Sequence, residues 1–185
     1  MSKGLPLLAF LFFCHAGFAG DIPLNGGTSP SGRYEIRLSS GKELVYLLLR
    51  EGKRVSSVAS SYHSSPDDGG FALKRAEDAA IYWNKAETFV AIDEDNYRFI
   101  GDVLVVDTGF IGSGTVLKAS SLISARKLAK NVERMRVRVG QGWTGPKTLE
   151  LSVGGIEKTD LGSLRRFEKK VTLTFSSAKG VEVTP

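Results

Sequence analysis

Four consecutive apolar residues, Val103-Leu104-Val105-Val106, place the strongest constraint on this chain. Side chains along a strand alternate between its two faces. A strand with no polar position therefore has no face to give to water, and it must be covered on both sides. The run closes a longer stretch, Ile81 to Asp107. Trp83 and Asn84 open that stretch, Phe89 to Ile92 form a first apolar run, Asp93 to Asn96 are polar, and Gly101-Asp102 lead into the second run. Two β-branched-rich runs around residues suited to turns predict a hairpin. The remainder of the chain must supply the material that covers it.

Other segments show the alternation of half-buried strands. Tyr34, Ile36 and Leu38 alternate with Glu35, Arg37 and Ser39; Leu149, Leu151 and Val153 alternate with Glu150 and Ser152; Val171, Leu173 and Phe175 repeat the pattern. Leu44 to Leu49 is another apolar run, with Val55 and Val58 suggesting a short strand after it, and Val137-Val139 and Val181-Val183 suggest two more. Asp21 to Thr28 reads as a loose arm and Gly154 to Arg166 as a loop. Ser120 to Met135 carries Leu122, Ala125, Leu128, Ala129, Val132 and Met135 at helical spacing, which predicts one long amphipathic helix with Ser120 or Ser121 as its cap. The expected fold class is mainly β with one long helix (α+β): an antiparallel meander of about eight strands covered by that helix.

Residues 1–19 have the pattern of a signal peptide. Lys3 precedes an apolar core, Leu5 to Phe13, that is too short to span a bilayer. Gly17-Phe18-Ala19 places small residues where a signal peptidase reads, so cleavage is expected near Ala19-Gly20. Residues 20–185 then form a single β-rich domain that is secreted or periplasmic, with no membrane span after cleavage. Cys14 is the one cysteine and leaves with the leader, which excludes disulfides, a thiol nucleophile and thiolate metal ligands from residues 20–185. The balance of 25 Lys and Arg against 20 Asp and Glu is mildly basic. It suits loose attraction to anionic partners.

At the central hairpin the sequence resembles one blade of a TolB-like or WD-type β-propeller. Such blades open with a tryptophan, pass through Ser-Pro-Asp-Gly-Lys, and continue as an apolar strand, a polar turn and an apolar strand ending in aspartate. Trp83-Asn84, Phe89-Val90-Ala91-Ile92 and Gly101-Asp102-Val103-Leu104-Val105-Val106-Asp107 occupy those places, and Ser29-Pro30-Ser31-Gly32-Arg33-Tyr34 resembles the opening a second time. Lys85-Ala86-Glu87-Thr88 departs from the pattern by lacking its proline, aspartate and glycine. The resemblance covers about a third of the chain. It implies blade-like hairpin geometry rather than a closed propeller, and partner binding rather than catalysis.

No catalytic, cofactor or metal constellation stands out. His63 is the only histidine of residues 20–185, so zinc sites built on several histidines are excluded. A small hydrolase would have to use His63 as its base, with a nearby serine and Asp67 or Asp68. The stretch has no Gly-X-Ser-X-Gly elbow, and the plain reading of His63 is a loop residue dispensable for fold and function. Asp93, Glu94, Asp95, Asn96 and Asp102 form an oxygen-rich Asp93–Asp102 turn that would suit a calcium-dependent binding protein, although the spacing is not that of an EF-hand. Arg126, Lys127, Lys130, Arg134, Arg136 and Arg138 form one basic run, and Arg165, Arg166, Lys169 and Lys170 another. If the fold brought both to one surface, they would hold phosphates or an anionic polymer. No aromatic residues interleave them for base stacking, so nucleic acid is not expected as a partner. The leading expectation is an exported, non-catalytic binding or interaction module without a cofactor, its partner an unidentified protein or anionic polymer.

Overall fold

The computed structural model describes residues 21–40, 44–60, 79–96, 100–109, 116–124, 128–176 and 180–185. Within them the chain forms three antiparallel four-stranded sheets, each a run of consecutive strands. The first sheet holds β1 (Asp21–Thr28), β2 (Tyr34–Ser40), β3 (Leu44–Arg50) and β4 (Lys53–Ala59). The second holds β5 (Ala79–Trp83), β6 (Phe89–Asn96), β7 (Ile100–Asp107) and β8 (Val116–Lys118). After α1 (Ala119–Leu122), the third holds β9 (Val132–Gly145), β10 (Thr148–Lys158), β11 (Leu164–Ser176) and β12 (Gly180–Thr184).

The second sheet lies between the other two. Val90, Ile92, Leu104 and Val106 pack against Ile36, Leu38, Tyr46 and Leu48 of the first sheet. Ala91, Val103 and Val105 face the opposite way, onto Ala119 and Ile123 and onto Val137, Leu149, Leu151 and Leu173 of the third sheet. Val103, Leu104, Val105 and Val106 are each at most 1% exposed, as a run without a polar position requires. Each such aliphatic side chain contributes roughly 1.5–3 kcal/mol by leaving water.

The fold is therefore almost all β, and the expected α+β fold with one long helix is not formed. Of Ser120–Met135, α1 covers only residues up to Leu122, the chain turns extended at Ile123 (φ −88°, ψ 115°), and Val132 to Met135 belong to β9. Helical spacing lost to tertiary context. Val132, Val137 and Val139 are β-branched, and the third sheet needs β9 beside β10 to bury Leu149, Leu151 and Val153. Neither serine caps α1; the carboxylate of Asp102 accepts hydrogen bonds from the Ser120 amide (3.0 Å) and hydroxyl (2.6 Å) instead. Asp21–Thr28 is strand β1 rather than a loose arm, and Gly154 to Arg166 is mostly strand. The supposed leader at residues 1–19 lies outside the described residues.

The same joint recurs between successive sheets. Trp83, ending β5, donates its indole N–H to the Gly26 carbonyl in β1 (3.0 Å) and stacks on Tyr34 at the start of β2. Trp143 in β9 donates to the Tyr82 carbonyl in β5 (2.9 Å) and stacks on Phe89 at the start of β6. The turn after each tryptophan is tied to a turn of the preceding sheet as well. Glu87 accepts from the Ser31 amide (2.5 Å) and hydroxyl (2.6 Å) in the β1–β2 turn. Asn84 donates to the Pro146 carbonyl in the β9–β10 turn (2.5 Å). Gly32 in the first of these turns has φ +74°, and Glu87 holds the matching left-handed place in the second at φ +55°. That conformation disfavours a residue with a side chain, and Glu87 is held there by its carboxylate bonds to Ser31 and by the Thr108 hydroxyl donating to its carbonyl (2.5 Å).

Two outcomes are expected. Trp143→Phe keeps the ring stack but loses the hydrogen bond to Tyr82, and should cost about 1 kcal/mol in urea unfolding. The hydrogen bonds from Ser31 hold the Glu87 carboxyl below its ordinary 4.5. A depressed folded-state value adds stability that is complete above 4.5 and is lost as pH falls through the folded value. Glu87→Gln should therefore melt below the wild type at neutral pH, with the gap closing in acid; a gap independent of pH would contradict this.

Candidate functional site

The third sheet does what neither basic run could show alone. Ile156 pairs with Arg134 on one side and Arg166 on the other; Gly154 pairs with Arg136 and Glu168; Ser152 pairs with Arg138 and Lys170. Directly paired residues share a face, and successive pairs two residues apart stay on it. Leu149, Leu151 and Val153 point to the core, so these rows lie on the face turned away from it. Of the first basic run, Arg134, Arg136 and Arg138 thus share a surface with Arg166 and Lys170 of the second; residues 126–127 lie outside the described residues. Between these rows β10 contributes Ile156, Gly154 and Ser152, and in the β11 row Glu168 sits between Arg166 and Lys170.

Not every cation on this face is free to act. Arg138 leans around the open edge of β9 to the buried Asp93 (Nε–Oδ2 3.7 Å), and the same Asp93 oxygen accepts from the Val139 amide at that edge (3.0 Å). The Arg136 stem packs on Gly101 of β7, where a Cβ would lie 3.0 Å from its Cγ. These two arginines serve the joint between the second and third sheets. Lys170 is paired with Glu150 at 3.4 Å, and Glu168 accepts from the Ser152 hydroxyl (2.8 Å). Arg134 and Arg166 stand exposed on either side of Ile156.

Two adjoining clefts open at this end of the sheet. One, of about 360 Å³, is lined by Arg134, Arg136, Gly154, Ile156, Arg166 and Glu168 among others. The other, of about 680 Å³, lies between residues 128–130 and the β10–β11 hairpin, where Lys130, Lys158, Arg165, Arg166 and Lys169 outnumber Glu157, Asp160 and Glu168. Glu157, buried at this end, is bonded to the Arg165 guanidinium (Nε–Oε1 2.7 Å). The geometry offers hydrogen-bond donors and positive charge over a shallow, partly apolar floor. That suits an anion contacted along its length.

The other candidates are dispersed. Asp93 to Asn96 lie within β6 rather than in a turn, and Asp93 and Glu94 leave it on opposite faces. Asp93 reaches β9, whereas Glu94 accepts from the Ser60 hydroxyl (2.6 Å) and Asp102 caps α1. These carboxylates do not converge on one ion, and among the described residues no group of three or more His, Cys, Asp or Glu is placed to hold a metal. His63, Asp67 and Asp68 lie outside the described residues. Ser60, the described serine nearest to them in sequence, is buried.

Sequence reasoning missed Lys158 and Ile156 as members of the surface, because it took this stretch for a loop. The signal was present as alternation through Glu150-Leu151-Ser152-Val153, which continues to Lys158 through two glycines. Comparison with protein families, with characterised proteins and with solved structures finds no match to this chain.

The two glycines under the clefts differ sharply. A Cβ on Gly155 would collide with the Arg134 carbonyl and lie 2.7 Å from the Phe167 ring, whereas one on Gly154 meets nothing nearer than the Phe167 carbonyl at 3.6 Å. Gly155→Ala should cost about 1–3 kcal/mol by overpacking. Gly154→Ala should stay within about 0.5 kcal/mol of wild type. Denaturant midpoints measure both, and equal effects would refute this packing.

Proposed function

We propose that this chain is an exported, non-catalytic binding module that engages an anionic polymer through the outer face of its third sheet. The observation that carries this reading is the strand register, which sets Arg134 and Arg166 on either side of Ile156 and turns both away from the core. Surface cations arranged in rows attract a polyanion more strongly than scattered ones, through summed field and counterion release. The repeated tryptophan joint, with four-stranded meanders stacked face to face, supports the blade-like part of the reading. Blades of that kind present faces to partners, and no step of chemistry is assigned.

The test is titration of the full chain with a soluble sulfated dextran across a salt series. Affinity should fall steadily as salt rises. Arg134→Ala combined with Arg166→Ala should weaken binding about tenfold, a difference of about 1.4 kcal/mol. Arg54→Ala, an exposed cation on β4 of the first sheet, should leave binding unchanged. Equal loss in both variants would point to net charge alone and would overturn the assignment to this face.

A further inference from the structure

We infer that this basic end of the third sheet also docks on an anionic lipid bilayer, entered by the tip of the β10–β11 hairpin; this rests on the anion-binding reading above. The distal half of that hairpin stands clear of the core. The core cluster takes β10 residues no further than Val153 and β11 residues no earlier than Val171. Beyond them β10 and β11 remain paired out to Lys158 and Leu164. The tip is well formed. The Thr159 amide donates to the Ser163 carbonyl (2.8 Å), the Gly162 amide to the Thr159 carbonyl (2.9 Å), and the Ser163 amide to the Thr159 hydroxyl (3.1 Å). Gly162 takes the left-handed place at φ +81°. Such a turn needs nothing apolar at its centre.

Leu161 nevertheless sits there, 93% exposed, with Leu164 64% exposed beside it. Among the described residues these are the large apolar side chains left in water. Neither contributes to the core. The charges behind them follow an order. Asp160 is met by Lys130 (3.6 Å) and Glu157 by Arg165, while Glu168, further back along β11, accepts from the Ser152 hydroxyl (2.8 Å). Lys158, paired in register with Leu164, and Arg166, two residues on, add positive charge that these pairs do not cancel. Aliphatic residues at the extremity with cations just behind them match the depth profile of a bilayer with anionic headgroups, apolar beneath and negative above. A soluble polyanion offers nothing to the two leucines.

The experiment is co-sedimentation of the full chain with vesicles of phosphatidylcholine alone, and with vesicles carrying about a quarter phosphatidylglycerol, an anionic lipid. Titration with soluble sulfated dextran runs in parallel. The wild type should partition onto the anionic vesicles and weakly onto the neutral ones. Leu161→Ser combined with Leu164→Ser should lose about tenfold or more of the vesicle partition, keep the dextran affinity and keep the melting temperature. Wild-type partition by that variant would overturn tip insertion while leaving the anion-binding reading intact. Binding of wild type to dextran but not to vesicles would do the same, and so would equal loss of both ligands in the leucine variant. Failure of wild type to bind either ligand would remove both proposals together.

Discussion

The middle sheet has no face of its own to offer solvent, and the rest of the fold answers that. Leu104 and Val106 need the first sheet above them; Val103 and Val105 need the third sheet below. A two-stranded hairpin of this composition would be insoluble or unfolded alone, since isolated hairpins are marginal even with a polar side. The two outer sheets share the opposite property. Each directs its main apolar face inward, so each can end the stack, although β3 also sets Val45, Leu47 and Leu49 on the outer face of the first sheet. The order core, doubly buried sheet, core follows from the inward apolar positions of β2, β3, β10 and β11. It explains why the long amphipathic helix is unnecessary, since the strands themselves cover the hairpin.

What aligns the layers is polar. Apolar packing is non-directional, and it would tolerate one sheet sliding on the next. The tryptophan indoles and the turn residues remove that freedom, because a hydrogen bond has a narrow range of distance and angle. Trp83 and Trp143 each reach back to a carbonyl of the preceding sheet's first strand, and Asn84 and Glu87 tie one turn to the turns on both sides. Asp93 does the corresponding work deeper in the stack, by filling the open edge of β9 at Val139. Buried carboxylates are costly unless bonded, and here each described contact is also a joint between elements.

How much of this was legible in the sequence depended on whether the information was local. The doubly buried strand and the alternation of β2, β10 and β11 were read correctly because period-two patterning is a local property. Ser120–Met135 failed because its apolar spacing fits a helix as well as a strand in part, and the deciding contact, β9 against β10, lies across a turn. The loop assigned to Gly154–Arg166 failed for a related reason: Gly154 and Gly155 look like punctuation, yet Gly155 is there because the Phe167 ring lies against it. Glu87 departs from a blade turn in the sequence alone. Its meaning needed the partner Ser31, more than fifty residues away. The basic surface was only conditional in the sequence. Charges on two separate runs join one face through strand register, which no composition encodes.

The location of that surface follows from the stacking. A face with Arg134, Ser152, Arg166 and Lys170 could not lie between two sheets, because desolvating its charged groups costs far more than the packing returns. It can exist only at an end of the stack. Repeat-like assemblies need such polar terminal layers to stay soluble. In the third sheet the terminal layer carries more than solubility requires. Its strands β9, β10 and β11 are the longest described in the chain, at 14, 11 and 13 residues. The extra length is not used by the core, which stops at Val153 and Val171. It carries the clefts, the surplus cations and the exposed leucines outward from the stack. The part of the sheet that lies beyond the main apolar cluster is thus the part that displays chemistry.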